Sequence, residues 1–192
     1  HDVTICDQNQ NVDVPEGAQS QLGPDYLKNL DTFDLLVRTS GMPPHVITDA
    51  NPNVTDNITT QVEVFLANAP TKHVIGVTGT KGKGTTSTLI ANMLEAAGKD
   101  VRIGGNIGIP PLSFIDEITE ESYVVLELSS FQLMNVTHSP HIGVCLMVVP
   151  EHLNWHADMN EYIWAKSQLF SGQKSDDVAI YAGFNELSTR IA

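Results

Sequence analysis

Apolar positions along this chain recur with two different periods. Near-continuous apolar runs at Val74–Val77, Val101–Ile103, Tyr123–Leu128, Ile142–Val149 and Asp177–Tyr181 predict strands covered on both faces, hence a parallel sheet. Helical stripes separate them. Leu89, Ile90, Met93 and Leu94 lie within a helix over 84–97 closed by Gly98, and Tyr162, Ile163, Leu169 and Phe170 lie within one over about 158–171. Ser129–Met134 reads as a short turn or helix, and Gly104–Pro111 as a loop. Before Lys72 the pattern is looser. Val3–Cys6 predicts a strand followed by Asp7, Pro24–Leu30 a weak helix, and Asp34–Val37 a strand before Thr39-Ser40-Gly41. Pro43–Asn57, with three prolines and three asparagines, reads as loop. Val62, Phe65 and Leu66 make a helical stripe over Thr60–Asn68, and Ala69-Pro70-Thr71 reads as a linker. The expected class is therefore α/β: a small layer over 1–70, then a domain with a mainly parallel sheet over 71–192.

Composition narrows the partners. The 192 residues carry a formal net charge of −13, which disfavours nucleic acid and anionic membrane surfaces. No apolar run approaches the ~18 residues of a membrane span, so no membrane insertion is expected. Cys6 and Cys145 sit in apolar runs and read as buried free thiols of a reducing, cytoplasmic compartment. The first residue is His1 and the last lies within a helical pattern, so a fragment is expected.

The densest chemistry lies between the strand 74–77 and the helix after it. Gly79, Thr80, Lys81, Gly82, Lys83, Gly84, Thr85 and Thr86 form a glycine-rich loop opening a helix, the context of a phosphate-binding loop. Backbone N–H groups at a helix N-terminus favour an anion, Lys83 supplies a point charge for the outer phosphates, and Thr85 or Thr86 supplies a hydroxyl for Mg²⁺. The spacing departs from G-x-x-x-x-G-K-[ST], because Gly84 stands between the lysine and the first threonine.

Parallel sheets bind ligands beyond the carboxyl ends of their strands, and further reactive groups fall there. Asn106 follows the second strand of the domain, Glu127 ends the third, and His152 follows the fourth. Glu127, in the otherwise apolar YVVLEL, is either a satisfied structural carboxylate or a cation ligand. His152 reads as a solvated or capping side chain or as a ligand; its spacing to His156 lacks the further partners zinc needs. Lys166 lies along the apolar face of its helix, where a lysine either snorkels to water or, buried, loses its proton readily and becomes nucleophilic. In the first region Asp7 and Ser40-Gly41 stand just past strands, as nucleotide-binding groups or plain turn residues.

TGTKGKGTT (78–86), GGNIGIP (104–110), LELSSFQL (126–133), PEHLNWH (150–156) and the Tyr162–Lys166 helix resemble, in order and spacing, the motifs of the Mur ligases. Within them, the SSFQL and GGNIG forms are most similar to members that add D-glutamate to UDP-N-acetylmuramoyl-L-alanine. The resemblance implies a partial UDP-binding Rossmann-like domain over 1–70, an incomplete central ATPase domain over 71–192, and an amino-acid-binding domain absent from this chain. It implies ATP-driven amide synthesis through an acyl phosphate, two Mg²⁺ sites and a monomer. Carried over by position, Lys83 would bind the β- and γ-phosphates, and Thr85 with Glu127 the first Mg²⁺. His152 would bind the second with a carbamylated Lys166; Asn106, Ser129 and Gln132 would face the muramoyl-alanine end, and Asp7, Ser40 and Gly41 the uridine diphosphate. The family's usual loop has asparagine where Lys81 stands and Ser/Thr in place of Gly84. The G-K-G-T form is instead similar to folylpolyglutamate synthase, the alternative ligase, while a non-catalytic nucleotide-binding relative is the alternative outside enzymes.

Overall fold

The computed structural model describes residues 2–54 and 56–192; His1, and Thr55 within the stretch read as loop, lie outside it. The chain forms two compact units, His1–Leu36 with Met42–Ile58, and Val37–Gly41 with Thr59–Ala192. In the smaller unit, β1 (Thr4–Asp7) and β2 (Gln19–Leu22) pair in parallel, with Thr4 opposite Gln19 and Asp7 opposite Leu22. β2 escapes the sequence reading because QSQL has too little apolar content to signal a strand. In place of the weak helix over Pro24–Leu30, two short 3₁₀ turns form, Gly23–Asp25 and Leu30–Thr32. Asn29 precedes the second in the left-handed region, at φ 54°, which a right-handed helix cannot include.

The stretch read as loop, Pro43–Asn57, contains a helix, α1 (Pro44–Ala50). Pro44 sits in its first turn, where a missing N–H costs nothing and the fixed φ suits the helix, so this proline starts a helix rather than breaking one. Leu30, Ile47, Val54 and Ile58 form the core of this unit. The buried Asn51 side chain ties it together, accepting from the Leu30 N–H at 2.9 Å and donating to the Leu27 carbonyl at 2.8 Å.

Strands β3 (Leu36–Arg38) and β4 (Ile58–Thr60) pair with each other. Thr60 then caps α2 (Gln61–Asn68), its hydroxyl oxygen accepting from the Glu63 N–H at 3.4 Å. Val62 and Phe65 of α2 are fully buried in the core of the larger unit. Residues 59–70, which the sequence groups with the first region, thus pack with the second.

The larger unit continues as β5 (Val74–Thr78), α3 (Lys83–Ala96), β6 (Val101–Gly105), β7 (Tyr123–Glu127), α4 (Ser130–Leu133), β8 (Ile142–Cys145), α5 (Met159–Ser171), β9 (Val178–Tyr181) and α6 (Glu186–Ile191). Its five strands make one all-parallel sheet in the order β6-β7-β5-β8-β9. Alternate residues explain the unbroken apolar runs. Val124, Leu126 and Leu128 pack with Phe65, Phe114 and Leu169 on one face, while Ile75, Val77, Val125 and Val144 pack with Ala91 of α3 on the other. A 3₁₀ segment, Pro111–Glu117, not foreseen from sequence, brings Phe114 edge-on to Phe65 at 5.9 Å between ring centroids.

β8 stops at Cys145 instead of reaching Val149. Residues 146–149 leave the sheet to follow the glycine loop, where the Thr80 N–H donates to the Met147 carbonyl and the Val149 N–H to Thr80 Oγ1, each at 3.0 Å. Cys145 is buried and Cys6 partly so, both as free thiols. Among the described residues no helix is long and apolar enough to cross a membrane.

Candidate functional site

The glycine loop joins β5, the central strand of the sheet, to α3. Gly82 caps the helix at φ 87°, a left-handed conformation that glycine adopts without strain, and a helix start leaves its first amides without intrahelical partners. Lys83 is half-buried and its Nζ donates to the Thr80 carbonyl at 3.2 Å, so its charge stays at the loop. Thr80 is turned inward. Its hydroxyl donates to the Val149 carbonyl at 3.0 Å and lies 2.9 Å from the Tyr162 hydroxyl, which fastens the loop to β8's extension and to α5. A cavity of about 300 Å³ bordered by Thr71, Lys72, Pro140 and His141 opens instead at the amino ends of the strands. Ligands of parallel sheets bind at the opposite ends, so the loop, not this cavity, is the candidate site.

Three groups reach this loop from different elements. Glu127, at the end of β7, is 4% exposed; its Oε1 accepts from Asn106 Nδ2 at 2.9 Å. Its Oε2 faces the start of α3, where a Cβ on Gly84 would lie 3.1 Å away. Lys166 of α5 is 2% exposed, and its Nζ donates to the Gly79 carbonyl at 3.1 Å and to Thr78 Oγ1 at 3.4 Å. Burial, reinforced by the charge of Lys83, pushes its ammonium down to about 7 from the usual lysine range. The Tyr162 ring lies 4.8 Å from the same Nζ. On the third side Lys81 donates to Glu151 Oε1 at 2.7 Å, and Glu151 Oε2 lies 3.5 Å from His152 Nε2. The Lys81 hydrogen bond holds the Glu151 carboxyl below its ordinary range, helped by the charges of Lys81, His152 and Lys83. His152 has a left-handed backbone (φ 58°) and its ring tilts onto Phe131 at 4.8 Å.

Among the described residues no hydrogen bond or ion pair joins Glu127, His152 and Lys166 directly; they meet through the loop. Nor do three His, Cys, Asp or Glu side chains among these residues gather closely enough to hold a metal unaided. Glu127 Oε2 nonetheless fits Mg²⁺, which binds one or two carboxylates and takes its other ligands from water and substrate phosphates. Thr85, expected beside that carboxylate, is exposed, and Gly84 is the residue that faces it.

Other expected residues lie as follows. Asp7 ends β1 in the smaller unit, its Oδ1 accepting from the Asn9 N–H at 2.7 Å. Ser40 and Gly41 belong to the larger unit, and the Gly41 carbonyl accepts from Trp155 Nε1 at 3.1 Å. Ser129 and Gln132 cap α4 reciprocally: the Ser129 hydroxyl oxygen accepts from the Gln132 N–H at 3.2 Å, and Gln132 Oε1 from the Ser129 N–H at 3.0 Å. Their S-x-x-Q spacing is a readable capping signature. The sequence reading assigned no role of their own to Glu151, Thr78 and Tyr162. His156, fully buried, joins Ser130 Oγ (2.9 Å) to Glu161 (3.2 Å), and burial lowers its ring's proton affinity.

Residues 77–192 match the Mur ligase middle domain. The chain is 43% identical, over 87% of its length, to the UDP-N-acetylmuramoylalanine–D-glutamate ligase of Ruminiclostridium cellulolyticum. It is 44% identical over 89% of its length to the enzyme of that name from Acetivibrio thermocellus. It spans only 36% and 37% of those relatives. The crystal structure of UDP-N-acetylmuramate:L-alanyl-gamma-D-glutamyl-meso-diaminopimelate ligase from Neisseria meningitides has the same fold, at a TM-score of 0.56 and 19% identity, over 91% of this chain and 60% of that one. With the family's middle domain covering more than half of it, this chain belongs to the Mur ligase family.

Proposed function

We propose that this chain is the uridine-nucleotide- and ATP-binding part of a cytoplasmic, monomeric ligase that joins D-glutamate to UDP-N-acetylmuramoyl-L-alanine in peptidoglycan precursor synthesis. The observation that carries the reading is the convergence of Glu127, Lys166 and the Glu151–His152 pair on one glycine loop at the carboxyl end of a parallel sheet. The names of the 43–44% identical relatives support the choice of substrates.

In this reading the amides at the start of α3 and Lys83 hold the β- and γ-phosphates. Asn106, Ser129 and Gln132 orient the acceptor, while Ser40 and Gly41 hold its uridine diphosphate. The alanyl carboxylate oxygen attacks the γ-phosphorus and ADP leaves. The amine of D-glutamate then adds to the acyl phosphate carbonyl, and collapse of the tetrahedral adduct expels inorganic phosphate and a proton. Little covalent work falls to the protein, whose part is positioning and neutralisation of charge. Glu127 would hold one Mg²⁺ and His152 with a carbamylated Lys166 a second, and these ions supply neutralisation of phosphate charge. Carbamylation suits Lys166: a buried amine with so low a proton affinity attacks CO₂ carbon, loses a proton and becomes an anion.

One observation favours a second reading, a folylpolyglutamate synthase-like ligase: its G-K-G-T loop matches Gly84 here. The test is phosphate release by an enzyme that carries this chain together with the remaining length of its relatives. Release that requires Mg²⁺, UDP-N-acetylmuramoyl-L-alanine and D-glutamate together is the expected result. Release with folate and glutamate but not with the muramoyl substrate supports the second reading. A protein that binds ATP yet turns over no acceptor is a binding module.

A further inference from the structure

In a G-K-[ST] loop the residue after the lysine carries the hydroxyl that holds the nucleotide's divalent cation. Here that residue is Gly84. The geometry identifies the same position independently of the motif, since a Cβ on Gly84 would lie 3.1 Å from Glu127 Oε2 and 3.7 Å from Ile107 Cδ1. Thr85 follows about 100° further round the helix and is exposed. Thr86 is half-buried another step on. Ser87, three residues from Gly84 and so on its face of α3, is fully buried, and its hydroxyl has no hydrogen-bond partner among the described residues. The helix start thus meets the carboxylate with a bare backbone, and the nearest hydroxyl on that face lies one turn deeper.

We propose that this chain binds the nucleotide's Mg²⁺ at Glu127 without a hydroxyl from the loop, leaving that coordination position to solvent, so that its ATP affinity depends on Mg²⁺ less than a serine- or threonine-bearing loop would. The proposal rests on the reading of the loop as an ATP site. It predicts a gain of function, because Gly84→Ser places an oxygen beside a carboxylate already in position, and the added Cβ asks Glu127 Oε2 to give by only a few tenths of an ångström.

The experiment is calorimetric titration with ATP, in excess Mg²⁺ and in EDTA, of an enzyme that carries this chain together with the remaining length of its relatives, as the native protein and as Gly84→Ser, Gly84→Ala, Thr85→Ala and Thr86→Ala. Thermal unfolding of each variant establishes that it is folded. The ratio of the two affinities is expected to rise about tenfold in Gly84→Ser, equivalent to about 1.4 kcal/mol. Gly84→Ala, which adds the Cβ without the oxygen, leaves the ratio at the native value, and so do both threonine variants. A folded Gly84→Ser with the native ratio overturns the proposal. So does loss of the native Mg²⁺ effect in Thr85→Ala or Thr86→Ala, since the loop hydroxyl would then come from a neighbouring residue. Failure of every variant to bind ATP, with or without Mg²⁺, overturns the ATP-site reading and this proposal together, and is distinguishable from both other results.

Discussion

Lys166→Ala lowers turnover of the ligase by about a thousandfold, the scale seen when a preorganised electrostatic group is removed from a reacting centre. The residue makes no surface contribution that could soften the loss. It is 2% exposed and spans from α5 to the Gly79 carbonyl and Thr78 Oγ1, so alanine removes both a strut under the loop and the proposed anion. Added chloride or bicarbonate is expected to restore part of the rate by occupying the vacated anionic position. A merely structural lysine would show no such rescue. Full activity of Lys166→Ala without added anion contradicts the carbamate.

The same lysine sets a pH dependence of stability. Its folded value, about 7, lies below the unfolded value near 10.4, so between them the unfolded chain binds the proton more strongly. Stability therefore rises with pH across that window and falls as pH drops toward 7, where the native state carries a penalty of several kcal/mol, at about 1.4 per pKa unit. In CO₂-free buffer Lys166→Met removes this slope. Its Tm exceeds the native one near pH 7, and the gap closes toward pH 10. A gap that stays constant across the window contradicts the neutral buried amine.

Gly105→Ala has the second large effect, on folding and on the position of Glu127 alike. Gly105 ends β6 at φ 103°, directly opposite Glu127 in the sheet, and a Cβ there would overlap the Glu127 backbone carbonyl. Neither strand yields easily. The Asn106 N–H donates to that same carbonyl at 2.8 Å, and the Asn106 side chain holds Glu127 Oε1. Steric overlap adds to the strain of an L-residue in this region, and the expected loss is about 3 kcal/mol or more. Gly98→Ala is the matching control. Gly98 has φ 76° but nothing within 4 Å of a Cβ, so it costs only the conformational strain, about 1 kcal/mol. Urea unfolding of the pair separates the two terms, and equal losses would show that the Gly105 contact relaxes freely.

How far sequence alone reached follows from burial. Strands covered on both faces, such as Val74–Thr78 and Tyr123–Glu127, leave unbroken apolar runs, and α3 and α5 leave helical stripes between them. The half-exposed strand Gln19–Leu22 and the proline-initiated helix Pro44–Ala50 carry no such signal in the small unit. Lys166 stood out because a cation on an apolar stripe is anomalous, and Glu127 because a carboxylate in a buried strand is. Glu151 did not, since an acidic residue in a loop looks solvated until Lys81 is seen 2.7 Å away. Which residue of the loop faces Glu127 depends on the close approach of α3 to β7, a property of packing that no local spacing encodes.

In the proposed reaction the acceptor's own carboxylate, held at this loop, takes the γ-phosphoryl group. The direct measurement uses UDP-N-acetylmuramoyl-L-alanine labelled with ¹⁸O in its alanyl carboxylate, with mass analysis of the phosphate released in the presence of ATP and D-glutamate. One labelled oxygen transferred to each phosphate is the predicted result. Phosphate released without label would mean that water, not the carboxylate, attacks ATP, and would contradict the claim.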